Sequence, residues 1–185
     1  MAPYHHLLAH FPIALLSLAF FIILMRGFSS SELARRFDAV LPHLLLLGLA
    51  VGLVTLATGL IIWPSEATTT SPMGRNKILI SVWMIACWGV VLALRWRGGQ
   101  DLWNGPGRAL MLGFGTMGMI LLATTGTLGG HLLGSPSRLT GLFREIGWEV
   151  YHTYYAPDWV LLVLVAVGAA GVAVGLFGAR SRPAA

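Results

Sequence analysis

Residues 7–25 read LLAHFPIALLSLAFFIILM, nineteen consecutive positions in which the only titratable side chain is His10. At about 1.5 Å of rise per residue, a helix of this length crosses most of the roughly 30 Å hydrocarbon layer of a bilayer. Working outward from it, four more apolar runs follow, at about Pro42 to Trp63, Ile78 to Leu94, Ala109 to Leu128 and Trp159 to Phe177. Their Leu-rich runs lack the alternation of barrel strands, and in lipid each segment must satisfy its own backbone groups, so helices are expected. The composition agrees. The 185 residues are 56% hydrophobic and 10% charged, with a mean hydropathy of +0.77, against about 25% charge in soluble domains. The sequence therefore predicts an all-α integral membrane helical bundle of about five transmembrane helices, a four-helix core plus one. No Pro/Ser-rich or charged stretch divides it, so residues 1–185 are expected to form a single domain.

The net charge of +5 does not point to nucleic acid, because the twelve Lys and Arg are scattered over short segments between the apolar runs. Placed there, they read as topology signals. Arg26, Arg35 and Arg36 follow the first run, Arg95, Arg97 and Arg108 the third, and Arg180 and Arg182 the fifth, all on one side of a five-span bundle. The other side holds only Arg75, Lys77, Arg138 and Arg144. The positive-inside bias then puts the N-terminus outside and the C-terminus in the cytoplasm of a bacterial inner membrane. The first run lacks a preceding Lys or Arg and a following Ala-x-Ala-like site, so it is expected to stay as a span. The segment from Gly134 to Pro157, with Trp148, Tyr151, Tyr154 and Tyr155, is expected as an outer loop or short interfacial helix.

Local signals refine the helices. Pro42 suits the first turn of its helix, where no amide donor is needed. Pro12 predicts a kink, or a late helix start near His10. Ser31 suits the cap of a short helix beginning at Glu32. Small residues recur at helical spacing as Gly48, Gly52, Thr55 and Gly59 in the second run and Gly168, Gly171 and Gly175 in the fifth, the pattern of close helix packing. Gly115, Gly118, Gly126 and Gly129 make a similar stripe in the fourth run, open to a neighbouring helix or to a flat cofactor.

Six histidines are the most informative polar residues in so apolar a chain, since such groups at membrane depth usually line a site. With the topology above, His5, His6, His10, His131 and His152 fall at the outer side and His43 alone at the inner end of the second span. A solvated side chain accounts for His5 and His43. His6 and His10 stand four apart and share a helix face. His131 follows Gly126-Thr127-Leu128-Gly129-Gly130, with Thr124 and Thr127 on its own face. The single Cys87, inside an apolar run, excludes an internal disulfide and a Cys-x-x-Cys-His site for covalent haem. No phosphate-binding loop, dinucleotide fingerprint, nucleophile elbow or His-Glu-x-x-His motif is present, so hydrolase and nucleotide-dependent readings have no support.

The stretch His5-His6-Leu7-Leu8-Ala9-His10-Phe11-Pro12-Ile13-Ala14-Leu15-Leu16 resembles the opening His-Phe-Pro-Ile-Ala-Leu motif of a bacterial "predicted membrane protein" family of unknown function. Thr58-Gly59-Leu60-Ile61 with the later Arg75, and Leu128-Gly129-Gly130-His131-Leu132, resemble two further segments of that family, the second its Leu-Gly-Gly-x-Leu ending. The resemblance covers about residues 4 to 135 and implies a four-helix membrane core and a haem-binding or redox role. The chain departs from the family pattern at Ile62, in place of an Asp, at His6, in place of a proline, and near Leu79 to Val82, where a histidine is missing. The fifth run lies beyond the pattern.

Together these features lead to a small b-type cytochrome-like subunit, an electron-transfer component of an oxidoreductase complex more than a self-contained enzyme. Non-covalent haem b would sit between helices near the outer face, with electrons passing between quinone and a periplasmic redox subunit or c-type cytochrome. Histidine imidazole is a common axial ligand of haem iron. The expected iron pair is His10 with His131, with His6 and His152 as a second set and Gly126, Gly129 and Gly130 making room for the ring. Trp63, Trp148 and Tyr151 are candidate flanks for quinone or partner. Two alternatives remain open: a haem-free copper- or zinc-binding or transport protein using His6, His10, His131 and His152, and a structural anchor of a larger hetero-oligomeric complex. Lipid is the one certain neighbour.

Overall fold

The computed structural model describes residues 2–62, 66, 70–152, 159, 162, 163, 166, 167, 169 and 170. Four long helices dominate: α1 Ala2–Phe28, α2 Glu32–Ile62, α3 Pro72–Gly98 and α4 Pro106–Leu132. Each is long and apolar enough to cross a membrane. A 3-10 turn, Gly99–Trp103, joins α3 to α4, and a short helix, α5 Arg138–Glu145, follows α4. No strand occurs among the described residues. The all-α membrane bundle expected from the sequence is therefore present as its four-helix core. The expected fifth span falls largely outside the described residues, as do Trp63, Tyr154, Tyr155, Gly168, Gly171 and Gly175.

The helices run up and down in sequence, α1 packing on α2 and α3 on α4, with α1 against α4 and α2 against α3 closing the ring. Leu16, Ala19 and Ile23 of α1 meet Leu41 and Leu45 of α2, Trp88 and Val91 of α3 and Met111 of α4 in the centre. The outward faces are equally apolar, with Phe21, Leu46, Leu53, Val82 and Ile120 exposed. In lipid that surface is already solvated, so close packing and internal polar bonds, not apolar burial, must hold the helices together. Small residues serve the packing. A Cβ on Gly48 would lie 2.8 Å from Leu16, and one on Gly118 would lie 2.8 Å from the Trp88 ring.

The polar bonding is concentrated where α1 ends and α2 begins. Ser31 caps α2 by accepting the Ala34 N–H at 3.3 Å. The helix it starts is not short, however, but continues to Ile62, which leaves Pro42 in the interior and not in the first turn. The reason lies in Asp38, four residues before Pro42. Proline has no N–H to offer the Asp38 carbonyl, and the guanidinium of Arg95 supplies a bond there instead, Nη2 to O at 3.4 Å. The same guanidinium grips the Asp38 carboxylate through Nε to Oδ1 and Nη2 to Oδ2, both 2.9 Å, and Gln100 Nε2 donates to Oδ2 at 2.8 Å. Asp38 is fully buried and Arg95 nearly so. Arg95, expected as a loop signal, is thus a buried tie between α2 and α3 inside the last turn of α3.

The first helix shows neither the late start nor the interruption considered for it: α1 is continuous from Ala2 through Pro12. At α3, Ser71 accepts the Gly74 N–H at 3.2 Å and Pro72 opens the first turn. The turn into α4 requires glycine at two places. Gly105 has φ +60°, and a Cβ on Gly107 would meet the Leu102 carbonyl oxygen at 2.3 Å.

At the opposite end, the expected outer segment folds back as α5 and the turns after it. Phe143, Trp148 and Val150 bury against Met73 of α3 and Leu128 of α4. This plug covers one side of the bundle end and leaves the other side open.

Candidate functional site

The open side is a cavity of about 300 Å³ between all four helices, within the range of small-molecule and cofactor sites. α1 contributes His5, His6, His10 and Ile13, α2 Gly52, Thr55 and Gly59, α3 Lys77, Ser81 and Met84, and α4 Leu122, Thr125, Gly126, Gly129 and Gly130. The cavity exists because α1 and α4 part company along their length. Toward the α1–α2 turn they touch through Gly27 on Leu112 and Gly115 on Ile23, and a weak Ser17 Oγ to Met119 Sδ contact lies at 3.9 Å. Beyond it, His10 and Gly126 both line the cavity and are both exposed, so the space opens sideways between the two helices.

The α4 glycine stripe, read as a seat for either a helix or a cofactor, divides in two. Gly115 and Gly118 lie against Ile23 and Trp88, whereas Gly126 has nothing within 4 Å of its Cβ position and Gly129 only the Lys77 side chain, its Nζ at 3.5 Å.

Two of the three imidazoles of α1, those of His5 and His10, have a partner that selects the tautomer. His10 Nδ1 lies 2.7 Å from the His6 carbonyl oxygen. A carbonyl only accepts, so Nδ1 carries the proton and Nε2 keeps its lone pair. His5 Nδ1 lies 3.2 Å from Thr58 Oγ1, whose own hydroxyl is donated to the Thr55 carbonyl at 3.0 Å. The Thr58 oxygen therefore accepts from His5 Nδ1–H, and His5 Nε2 is likewise unprotonated. Backbone or hydroxyl partners on Nδ1 are the usual arrangement behind a histidine that ligates through Nε2.

His131 is at the same end of the bundle but on a different face. Five helical residues past Gly126, it is rotated by about 140°, away from the cavity and into the α5 plug. Its Nε2 is bonded to Thr140 Oγ1 and its Nδ1 to the Tyr151 hydroxyl. With both ring nitrogens engaged, no lone pair is left for iron. The His10 and His131 pairing is thus not assembled in this structure, although the expected shared face of Thr124, Thr127 and His131 is present, all three buried together. His152 is exposed and lines no part of the cavity, and His43 is exposed on α2 beyond the Asp38 end. Trp148 is packed at 5.0 Å against Phe143 and Tyr151 is bonded to His131, which removes both as cavity flanks. Among the described residues no three His, Cys, Asp or Glu side chains gather as a metal-ion site.

Sequence reasoning missed Lys77 and Thr125. Lys77 was counted only as a basic residue near a helix start, yet it is partly buried and has no carboxylate or hydrogen-bond partner among the described residues. Thr125 lines the same cavity with its Oγ1 buried and unpaired. The available signal was spacing: Lys77 and Ser81 are four apart at the start of an apolar run, as are Thr125 and Gly129.

Neither the curated proteins nor the solved structures contain a match to this chain. A family model described as "Predicted membrane protein (DUF2231)" matches residues 1–135, which takes in every helix that lines the cavity. The chain accordingly belongs to the DUF2231 family of membrane proteins.

Proposed function

We propose that this protein is a b-type cytochrome-like membrane subunit that holds haem b in the four-helix cavity, with His10 as an iron donor. The observation that carries the reading is the His10 Nδ1–H bond to the His6 carbonyl, which leaves Nε2 basic on a residue lining a cavity of cofactor size. His5, in the same tautomer, is the second candidate donor. The open side chain space at Gly126 and the apolar walls of Ile13, Met84 and Leu122 suit a flat, hydrophobic ring. The group would supply one-electron chemistry, and the protein would supply orientation, exclusion of water and tuning. The role that follows is electron transfer between quinone and a periplasmic redox partner, in an inner membrane with the cavity end outward.

Visible absorption of the purified protein tests the iron. The expected result is a Soret band with reducible α and β bands, lost in His10→Ala and retained in His131→Ala. A haem spectrum that needs His131 and not His10 would overturn the assignment. Orientation is tested with single cysteines in a Cys87→Ala background. An impermeant thiol reagent added to intact cells should label Ser137→Cys and not Arg35→Cys, and the reverse pattern inverts the topology.

A further inference from the structure

The cavity has a polar end, and its charge has one sign. Among the described residues that line it, Lys77 is the one Lys or Arg, and none is Asp or Glu. Its ammonium reaches across to α4, with Nζ 3.5 Å from the Cβ position of Gly129. One turn deeper on α4, Thr125 presents a buried hydroxyl without a partner. Below these two groups the walls turn apolar, through Ile78, Met84, Ile85 and Leu122. An ammonium kept from bulk water without a counter-charge is costly, whereas one that meets a carboxylate in a pocket gains a charge-assisted hydrogen bond. The side opening between His10 and Gly126 faces the region where lipid tails lie, so a ligand can enter without crossing water.

From this geometry we infer that Lys77 and Thr125 form a head-group subsite, and that the cavity takes an amphiphile bearing a carboxylate, its acid group on Lys77 Nζ and Thr125 Oγ1 and its apolar body among the α3 and α4 side chains. The subsite uses the same cavity as the haem reading but does not depend on iron, because both a haem propionate and a fatty acid carry the required group. It also explains why a lysine stands inside the helical bundle at this level. Arg75, two residues earlier on the same helix, has an exposed side chain instead.

Two probe pairs test the inference in the detergent-purified protein: haemin against its dimethyl ester, followed by absorption, and cis-parinaric acid against its methyl ester, followed by fluorescence. The acid of at least one pair should bind about tenfold or more tightly than its ester, the scale of a charge-assisted bond in a pocket. Lys77→Met should abolish that preference, Lys77→Arg should retain most of it, and Thr125→Val should reduce it by a smaller factor. A preference confined to haemin identifies the acid as a propionate. A preference shown by parinaric acid with no binding of either haem compound supports the subsite and rejects the haem reading. Equal binding of acid and ester in both pairs, a preference that survives Lys77→Met, or no binding of any probe overturns the inference.

Discussion

The two ends of the bundle handle buried charge in opposite ways. At the Asp38 end the central pair is closed: carboxylate, guanidinium and amide interlock, and even the carbonyl stripped of its helix bond by Pro42 finds a donor in Arg95, with Arg26 Nε and Trp103 Nε1 beside them left without a partner. At the Lys77 end, among the described residues, the ammonium has no partner, two imidazoles keep open Nε2 atoms and the Thr125 hydroxyl is unpaired beside the cavity. Saturated polar networks fix a packing, and unsaturated ones around a cavity are where a ligand makes its bonds. One end of this molecule is closed by its own contacts, and the other is where the proposed ligand would make its bonds.

The strongest way to break this contrast is at Asp38. Asp38→Ala leaves the Arg95 charge buried without its partner and should cost about 3–5 kcal/mol, read as a large drop in melting temperature in detergent. Replacing both partners by Leu should recover most of that loss, because no unpaired charge then remains. If the single and double variants melt alike, the pair is not the tie described here.

The glycines sharpen the comparison at smaller scale. Gly118→Ala drives a methyl into the Trp88 ring and should destabilise by about 1–3 kcal/mol. Gly126→Leu, in open space on the same helix, should melt like the parent and fail to bind the cavity ligand. A Gly126→Leu protein that still loads haem or acid would place the ligand elsewhere.

The histidines separate the plug from the cavity. His131→Ala strips Thr140 and Tyr151 of their partner and should cost about 1–2 kcal/mol without changing a haem spectrum, whereas His10→Ala should change the spectrum with little effect on melting. The smallest effect belongs to His43, exposed on α2: His43→Ala should shift stability by no more than about 0.5 kcal/mol and leave ligand binding untouched, and a larger loss of either would mean that its face of α2 is covered.

Much of this architecture was legible in the residues. The four spans of the core, the short helix within the Gly134 to Pro157 segment and the gathering of His5, His6, His10 and His131 toward one end all follow from apolar length and from the up-and-down path of the chain. The helix limits were less so. Arg95 looked like a loop charge because hydropathy treats each charge as alone, whereas it lies inside α3, paired with a buried Asp38 that apolar length gave no reason to single out. Half of the α4 stripe packs against neighbouring side chains and the other half borders the cavity, but nothing in a row of glycines says where the change occurs.

What the sequence by itself determined is therefore the material and the level: helices, because backbone groups in lipid must bond within their own segment, and a polar cluster at one end, because each residue's depth follows from counting along its span. What only the tertiary structure decided is the azimuth. Each residue turns the helix by about 100°, and the rotation of one helix against the next is set by side-chain contacts such as Gly118 on Trp88 and Asp38 on Arg95, which no single segment contains. That rotation turned His131 into the plug, left His10 on the cavity, and carried Lys77 into a site whose described lining holds no anion.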